Sequence, residues 1–172
     1  MNKTLYETLN KKIKSKKIIV FGELHGTKEI PEMLKQFFQD YIENEKKGFG
    51  ICMEIPTEEQ SNIDNFLSMG DVKFLEKMKF FKRKTKNDGR GSKEYFDLIM
   101  SIYNLNKIFD KNIKIYCIDD WSNVELRDKN MSLKVLDINK YSEKKRKLFI
   151  IVGNIHASKK MFMYGNEFRE TT

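Results

Sequence analysis

Residues 18–25 read IIVFGELH: four apolar residues run without a break into a glycine, an acid, a leucine and an imidazole. A short apolar run that is continuous rather than alternating is the pattern of a strand buried on both faces, as in a parallel sheet. The same order returns at 148–156, LFIIVGNIH. In both places a glycine follows the run, and three residues after each glycine stands one of the only two histidines in the chain, His25 and His156. Two further apolar runs, 49–53 and 113–118, have the same character and deliver Glu54 and the pair Asp119-Asp120.

Helical patterns lie between these runs. Leu34, Phe37, Phe38, Tyr41 and Ile42 recur at i, i+3, i+4, i+7 and i+8, which predicts an amphipathic helix over 28–46 with Thr27 as N-cap and Pro31 in its first turn. After Pro56, Thr57-Glu58-Glu59-Gln60 reads as a capping box opening a helix with Ile63, Phe66 and Leu67 inward. A helix over 92–109 carries apolar residues on two faces, and Ser122-Asn123-Val124-Glu125 reads as a second capping box for a helix with Val124, Met131, Val135 and Ile138 on one face. Strands alternating with helices predict an α/β fold, a mostly parallel central sheet flanked by helices on both faces, with right-handed crossovers. The segment 69–91 is the least regular, a mobile flap with Asp88-Gly89-Arg90-Gly91 as its turn, and 160–164 is a candidate fifth strand. No closing element precedes Thr172, so the natural chain is expected to continue.

At 172 residues, residues 1–172 are read as one domain, since halves of this chain would bury too little surface to be stable. With 40% hydrophobic and 34% charged residues the chain is neither a disordered tail nor a disulfide scaffold. No apolar run approaches the roughly 20 residues that span a bilayer, and the Lys-rich start lacks a secretory apolar segment, so the expected compartment is the cytoplasm. Cys52 and Cys117 fall inside strand-like runs and are read as small buried hydrophobes. The formal charge of +8 is spread as lysine over nearly every helix, which describes a solvated surface rather than a nucleic-acid footprint. Only 77–86, KMKFFKRKTK, is dense: it either grips an anionic partner or is a solvated segment sending Phe80 and Phe81 into the core, the simpler account.

In an open α/β sheet, ligands bind outside the carboxyl ends of the strands. Each predicted strand delivers a polar or ionisable group to that edge, so the candidate catalytic set is Glu23, His25, Glu54, Asn154 and His156. Imidazole and carboxylate together either hold a divalent metal, through His25, His156 and Glu54, or shuttle protons near neutral pH. The alternative for the histidines is a hydrogen-bonding role in loops, without chemistry. Glu54, set in Ile51-Cys52-Met53-Glu54-Ile55-Pro56, must be paired or functional. Arg90, Asp119, Asp120 and Arg127 are candidate ligand-binding groups: one aspartate either joins the site or caps the turn before Trp121, Arg127 and Asp128 either brace the site or pair at the surface, and Arg90 either closes over an anion or faces solvent.

With two GxxH motifs, Gly22-Glu23-Leu24-His25 and Gly153-Asn154-Ile155-His156, the sequence resembles the superfamily of Tiki, TraB, ChaN-like haem-binding proteins and erythromycin esterases. FGELHGTKEIPE and IVGNIHASKK are most similar to the ChaN-like branch, and the resemblance spans nearly the whole chain. It implies an α/β fold in which both motifs meet in one pocket. It leaves the activity open, since Tiki-like members are regarded as metal-dependent proteases, the esterases hydrolyse a lactone and ChaN binds haem. The sequence shows neither a lipoprotein signal nor the membrane segment of Tiki nor the insertions of the esterases. The leading expectation is a small hydrolase using His25, His156 and Glu54 or Glu23, with or without a manganese, cobalt, iron or zinc ion, on an ester, amide or phosphoester. Asn154 and a helix N-terminus would polarise the bond attacked. The alternatives are a haem-binding protein with His25 as axial ligand and a binder of anionic ligands or nucleic acid. The expected partner is a small-molecule or anionic ligand, with a homodimer as the assembly to look for.

Overall fold

The computed structural model describes residues 4–82, 89–141, 146–158, 162–164 and 167–169. Four parallel strands form its sheet: β1 (Ile18–Glu23), β2 (Phe49–Pro56), β3 (Lys114–Asp119) and β4 (Lys147–Gly153), in the order β1-β4-β2-β3. The helices are α1 (Thr4–Ile13), α2 (Glu29–Glu45), α3 (Gln60–Met69), α4 (Lys73–Lys77), α5 (Lys79–Lys82), α6 (Lys93–Phe109), α7 (Arg127–Tyr141) and α8 (Asn154–Ala157). The candidate fifth strand is β5 (Phe162–Tyr164), which pairs antiparallel with β6 (Glu167–Arg169) apart from the main sheet. All four apolar runs are strands, and β2 is buried along its whole length. No helix among the described residues is long and apolar enough to cross a membrane.

Parallel pairing leaves the strands no choice of edge: Glu23 is in register with Gly153 of β4, while Glu54 and Asp119 close β2 and β3 at the same end. The register of β2 against β3 shifts between Met53 and Pro56, so Glu54 lies in an irregular stretch that re-aims its side chain. One face of the sheet packs on α2 and α6 through an aromatic cluster in which Phe149 meets Phe38, Tyr41 and Phe49 edge-on, at centroid separations of 5.4, 5.2 and 5.3 Å. The other face has a smaller core, Cys52, Ile118, Ile150 and Val152 against Met131 and Val135 of α7.

Several helix starts differ from expectation because polar side chains found better partners. Thr27 does not cap α2; its hydroxyl donates to the Leu24 carbonyl at 2.9 Å, tightening the turn after His25. The box at Thr57 forms a 3-10 turn, after which Gln60 leaves the helix end to serve the sheet. Its amide donates to Ile115 O at 2.9 Å and accepts from Cys117 N at 2.7 Å, satisfying the open edge of β3. Asn123 Oδ1 accepts from the backbone of Glu125 and Leu126, which delays α7 to Arg127 and leaves Val124 67% exposed rather than inward. Phe80 and Phe81 pack against the core beside exposed Lys77, Lys79 and Lys82, as the simpler reading of the basic stretch has it. Residues 83–88, in the expected flap, lie outside the described residues.

Ser92 is the cap that matters for the site, because α6 begins immediately after Arg90 and carries Tyr95 in its first turn. Its hydroxyl oxygen accepts from Tyr95 N, so Ser92→Ala is expected to lower stability by about 1 kcal/mol. Chemical denaturation of the two proteins measures it.

Candidate functional site

Glu23, at the end of β1, is buried and takes two donors. Its Oε1 is 2.7 Å from His25 Nδ1, and its Oε2 accepts from the Tyr95 hydroxyl. Burial, with Glu23 and Glu54 close by, pushes the Tyr95 phenol far above its ordinary value, so it remains a donor. Glu23 therefore fixes the His25 tautomer: Nδ1 carries the proton and Nε2 keeps the lone pair. Nε2 lies 3.6 Å from Glu54 Oε2 and directly over Gly153, where an added Cβ would come within 2.7 Å of it. The loop bearing Arg90 approaches just as closely, since a Cβ on Gly89, at φ +93°, would fall 2.1 Å from the Gly26 Cα.

Glu54 is the hub. Its Oε1 accepts from Arg90 Nη1 and Arg127 Nη2, both at 2.5 Å, and its Oε2 from Gly153 N at 2.8 Å. Asp119 repeats the pattern, with Arg127 Nε at 2.6 Å, Arg90 Nη1 at 3.4 Å and Trp121 Nε1 at 2.8 Å. The Arg127 guanidinium also stacks on Trp121, 4.3 Å from the ring centroid, and Nη1 points at His156 Nε2 over 3.1 Å. His156 Nε2 is 3.5 Å from Glu54 Oε1; its Nδ1 is 2.7 Å from Asp128 Oδ1 without the alignment of a hydrogen bond. Two imidazoles thus flank one carboxylate, Glu54 and Asp119 each bind both guanidiniums, and Glu23 is a third carboxylate beside them that pairs with His25 and Tyr95.

The unbalanced negative charge falls on His25. Burial opposes its imidazolium, but the hydrogen bond it donates to Glu23 and the charges of Glu54 and Glu23 outweigh that, and its pKa is raised above 6.5. Burial likewise opposes the Arg127 cation, and Asp119 and Glu54 more than compensate.

Of the residues singled out in the sequence, Glu23, His25, Glu54, Arg90, Asp119, Arg127 and His156 converge in this network. Asn154 does not join it; it opens α8, exposed, with its side-chain oxygen against Gly22. Asp120 turns away to cap Ser122 N and to accept from Asn130, and the Ser122 backbone bond holds its carboxyl below the ordinary value. Tyr95 and Trp121 are the additions. Cys52 and Cys117 are buried and unpaired, and burial pushes the Cys52 thiol up to about 12, so neither is a nucleophile.

The side chains present do not fit a divalent metal. Among the described residues no three His, Cys, Asp or Glu groups are arranged around a common point, and the oxygens of Glu54 that would bind an ion are taken by guanidinium and backbone N–H groups. Nor do they fit a haem at His25, whose Nε2 faces Gly153 and Glu54, while the hollow among Glu23, Glu54, Arg90 and Tyr95 is about 10 Å³, room for one water.

No family model and no curated protein matches the chain. Solved structures do. Two structures described as bacterial protein toxins superpose with a TM-score of 0.62 at 14% identity, over 96% of this chain and 33% of theirs. The chain therefore spans about a third of the length of those toxins and shares a fold with that part of them.

Proposed function

We propose that the chain is a hydrolase in which His25, held by Glu23, activates water directly, without a metal step, on an ester, amide or phosphoester bond. The observation that carries this reading is the Glu23–His25 pair: Nδ1 is tied down at 2.7 Å while Nε2 faces a carboxylate across 3.6 Å. A water held between Nε2 and Glu54 gives a proton to Nε2 as its oxygen attacks the electrophilic carbon or phosphorus. The imidazolium then returns that proton to the leaving oxygen or nitrogen as its bond breaks. The excess of carboxylates over guanidiniums stabilises this imidazolium in advance. Arg127, pinned by Asp119, Trp121 and His156, keeps Glu54 in place. Resemblance to the two-GxxH superfamily agrees with the assignment, and the toxins sharing the fold support the scaffold without choosing the bond. The free, buried thiols suit a reducing compartment such as the cytoplasm.

The experiment is a panel of p-nitrophenyl esters, anilides and phosphates assayed with and without EDTA, for the wild type and His25→Ala. Turnover of at least one class, unchanged by EDTA and lost in His25→Ala, is the expected outcome. A silent panel, or activity that EDTA abolishes, overturns the proposal.

A further inference from the structure

On the face of the sheet opposite the aromatic core, α7 does not cover β1. A cavity of about 250 Å³ remains there, floored by Val20, Ile150 and Val152, walled by Met131, Val135 and Leu136, and closed at one end by His156. Val20 and Leu136 are 50% and 57% exposed at its mouth, apolar groups left open to solvent beside the site. We propose that this cavity is the subsite for an aliphatic acyl chain of the substrate, so that the preferred substrates are esters or amides of medium-length acyl groups. The inference rests on the hydrolase reading above.

Three observations carry it. The volume is below the 300–1,000 Å³ typical of a pocket for a whole small ligand, so the cavity suits one group of a larger molecule. Seven of the cavity's ten lining side chains are aliphatic or thioether, which recognise hydrocarbon; the polar ones are Ser132 and, at the end toward the site, His156 with Asp128 2.7 Å from it. The closed end is His156, 3.5 Å from Glu54 Oε1, whose other oxygen faces His25 Nε2. A chain lying in the cavity therefore ends at His156, which is separated from the reactive His25 by the Glu54 carboxylate alone.

Each methylene buried contributes a factor of about four in kcat/KM. The test compares p-nitrophenyl acetate, butyrate and hexanoate with the wild type, Val20→Asp, Leu136→Asp and, as an α7 surface control, Leu133→Asp. The expected result is a rise of about fourfold per methylene in the wild type and in Leu133→Asp, and a collapse of the hexanoate-to-acetate ratio by at least tenfold in the two cavity variants. A flat chain-length series in the wild type, or a ratio that survives both cavity variants, overturns the subsite while the hydrolase stands. Octanamide titrated against the fluorescence of Trp121, the sole tryptophan, gives an answer that needs no turnover. Saturable binding lost in Val20→Asp or Leu136→Asp supports the subsite even if every ester is inert, and absence of saturable binding in the wild type overturns it.

Discussion

Glu54→Ala is expected to destabilise the chain by about 3–5 kcal/mol, the cost of stripping one partner from a buried charge network. In the wild type this carboxylate, whose side chain is 3% exposed, accepts from both guanidiniums and from Gly153 N. Deleting it leaves the two cations with Asp119 as their shared carboxylate and strands a buried backbone N–H. At 2–4 °C per kcal/mol for a chain of this size, the melting temperature should fall by about 6–20 °C. The loss comes from the orphaned partners rather than from the pair itself, and a second variant separates the two. Adding Arg127→Met to Glu54→Leu removes one orphan and refills the space, so the double variant should recover part of what Glu54→Leu loses. Thermal and urea unfolding of the set provide the check: a Glu54→Ala protein melting within about 2 °C of wild type would mean that the network does not hold the sheet edge together.

What the sequence made legible here is whatever depends on backbone periodicity. A strand buried on two faces announces itself as an unbroken apolar run, and a parallel sheet forces all strand ends to one edge, so His25, Glu54, Asp119 and His156 could be assembled without knowing any side-chain position. Polar partner choice was not legible. Whether Glu54 would meet a metal or a guanidinium depends on Arg90 and Arg127, 36 and 73 residues away, and residue type alone does not decide between them. Tyr95 is an inward position on a helix with several such positions, and nothing local says that its hydroxyl reaches β1. Capping motifs failed where an alternative acceptor lay nearby: Gln60 served the edge strand and Thr27 its own turn. Helix α1 is legible only in the helical spacing of Tyr6, Leu9 and Ile13, a weak signal among so many lysines.

The activity of the proposed hydrolase should rise with pH through an inflection above 6.5, because His25 must be neutral to accept a proton and its neighbours hold its pKa up. His25→Ala should then lose about 10²–10⁴ in kcat, the usual share of a positioned base, while keeping its fold, since the ring is partly exposed. Glu23→Gln separates base from bystander. It removes the charge and the carboxylate hydrogen bond of Glu23 that raise the His25 pKa, leaving the charge of Glu54 alone against burial, so the ascending limb must move to lower pH. Stability supplies an independent reading with its own sign. A group whose folded pKa lies above its unfolded value contributes stability that is full below the unfolded pKa, near 6.5, and is lost as pH rises through the folded one. The wild type should therefore lose stability across the same window in which it gains activity, and His25→Ala should lack that slope. pH–rate profiles together with melting curves at matched pH decide it: a limb at or below 6.5, or one that Glu23→Gln leaves in place, assigns the proton to a group other than His25.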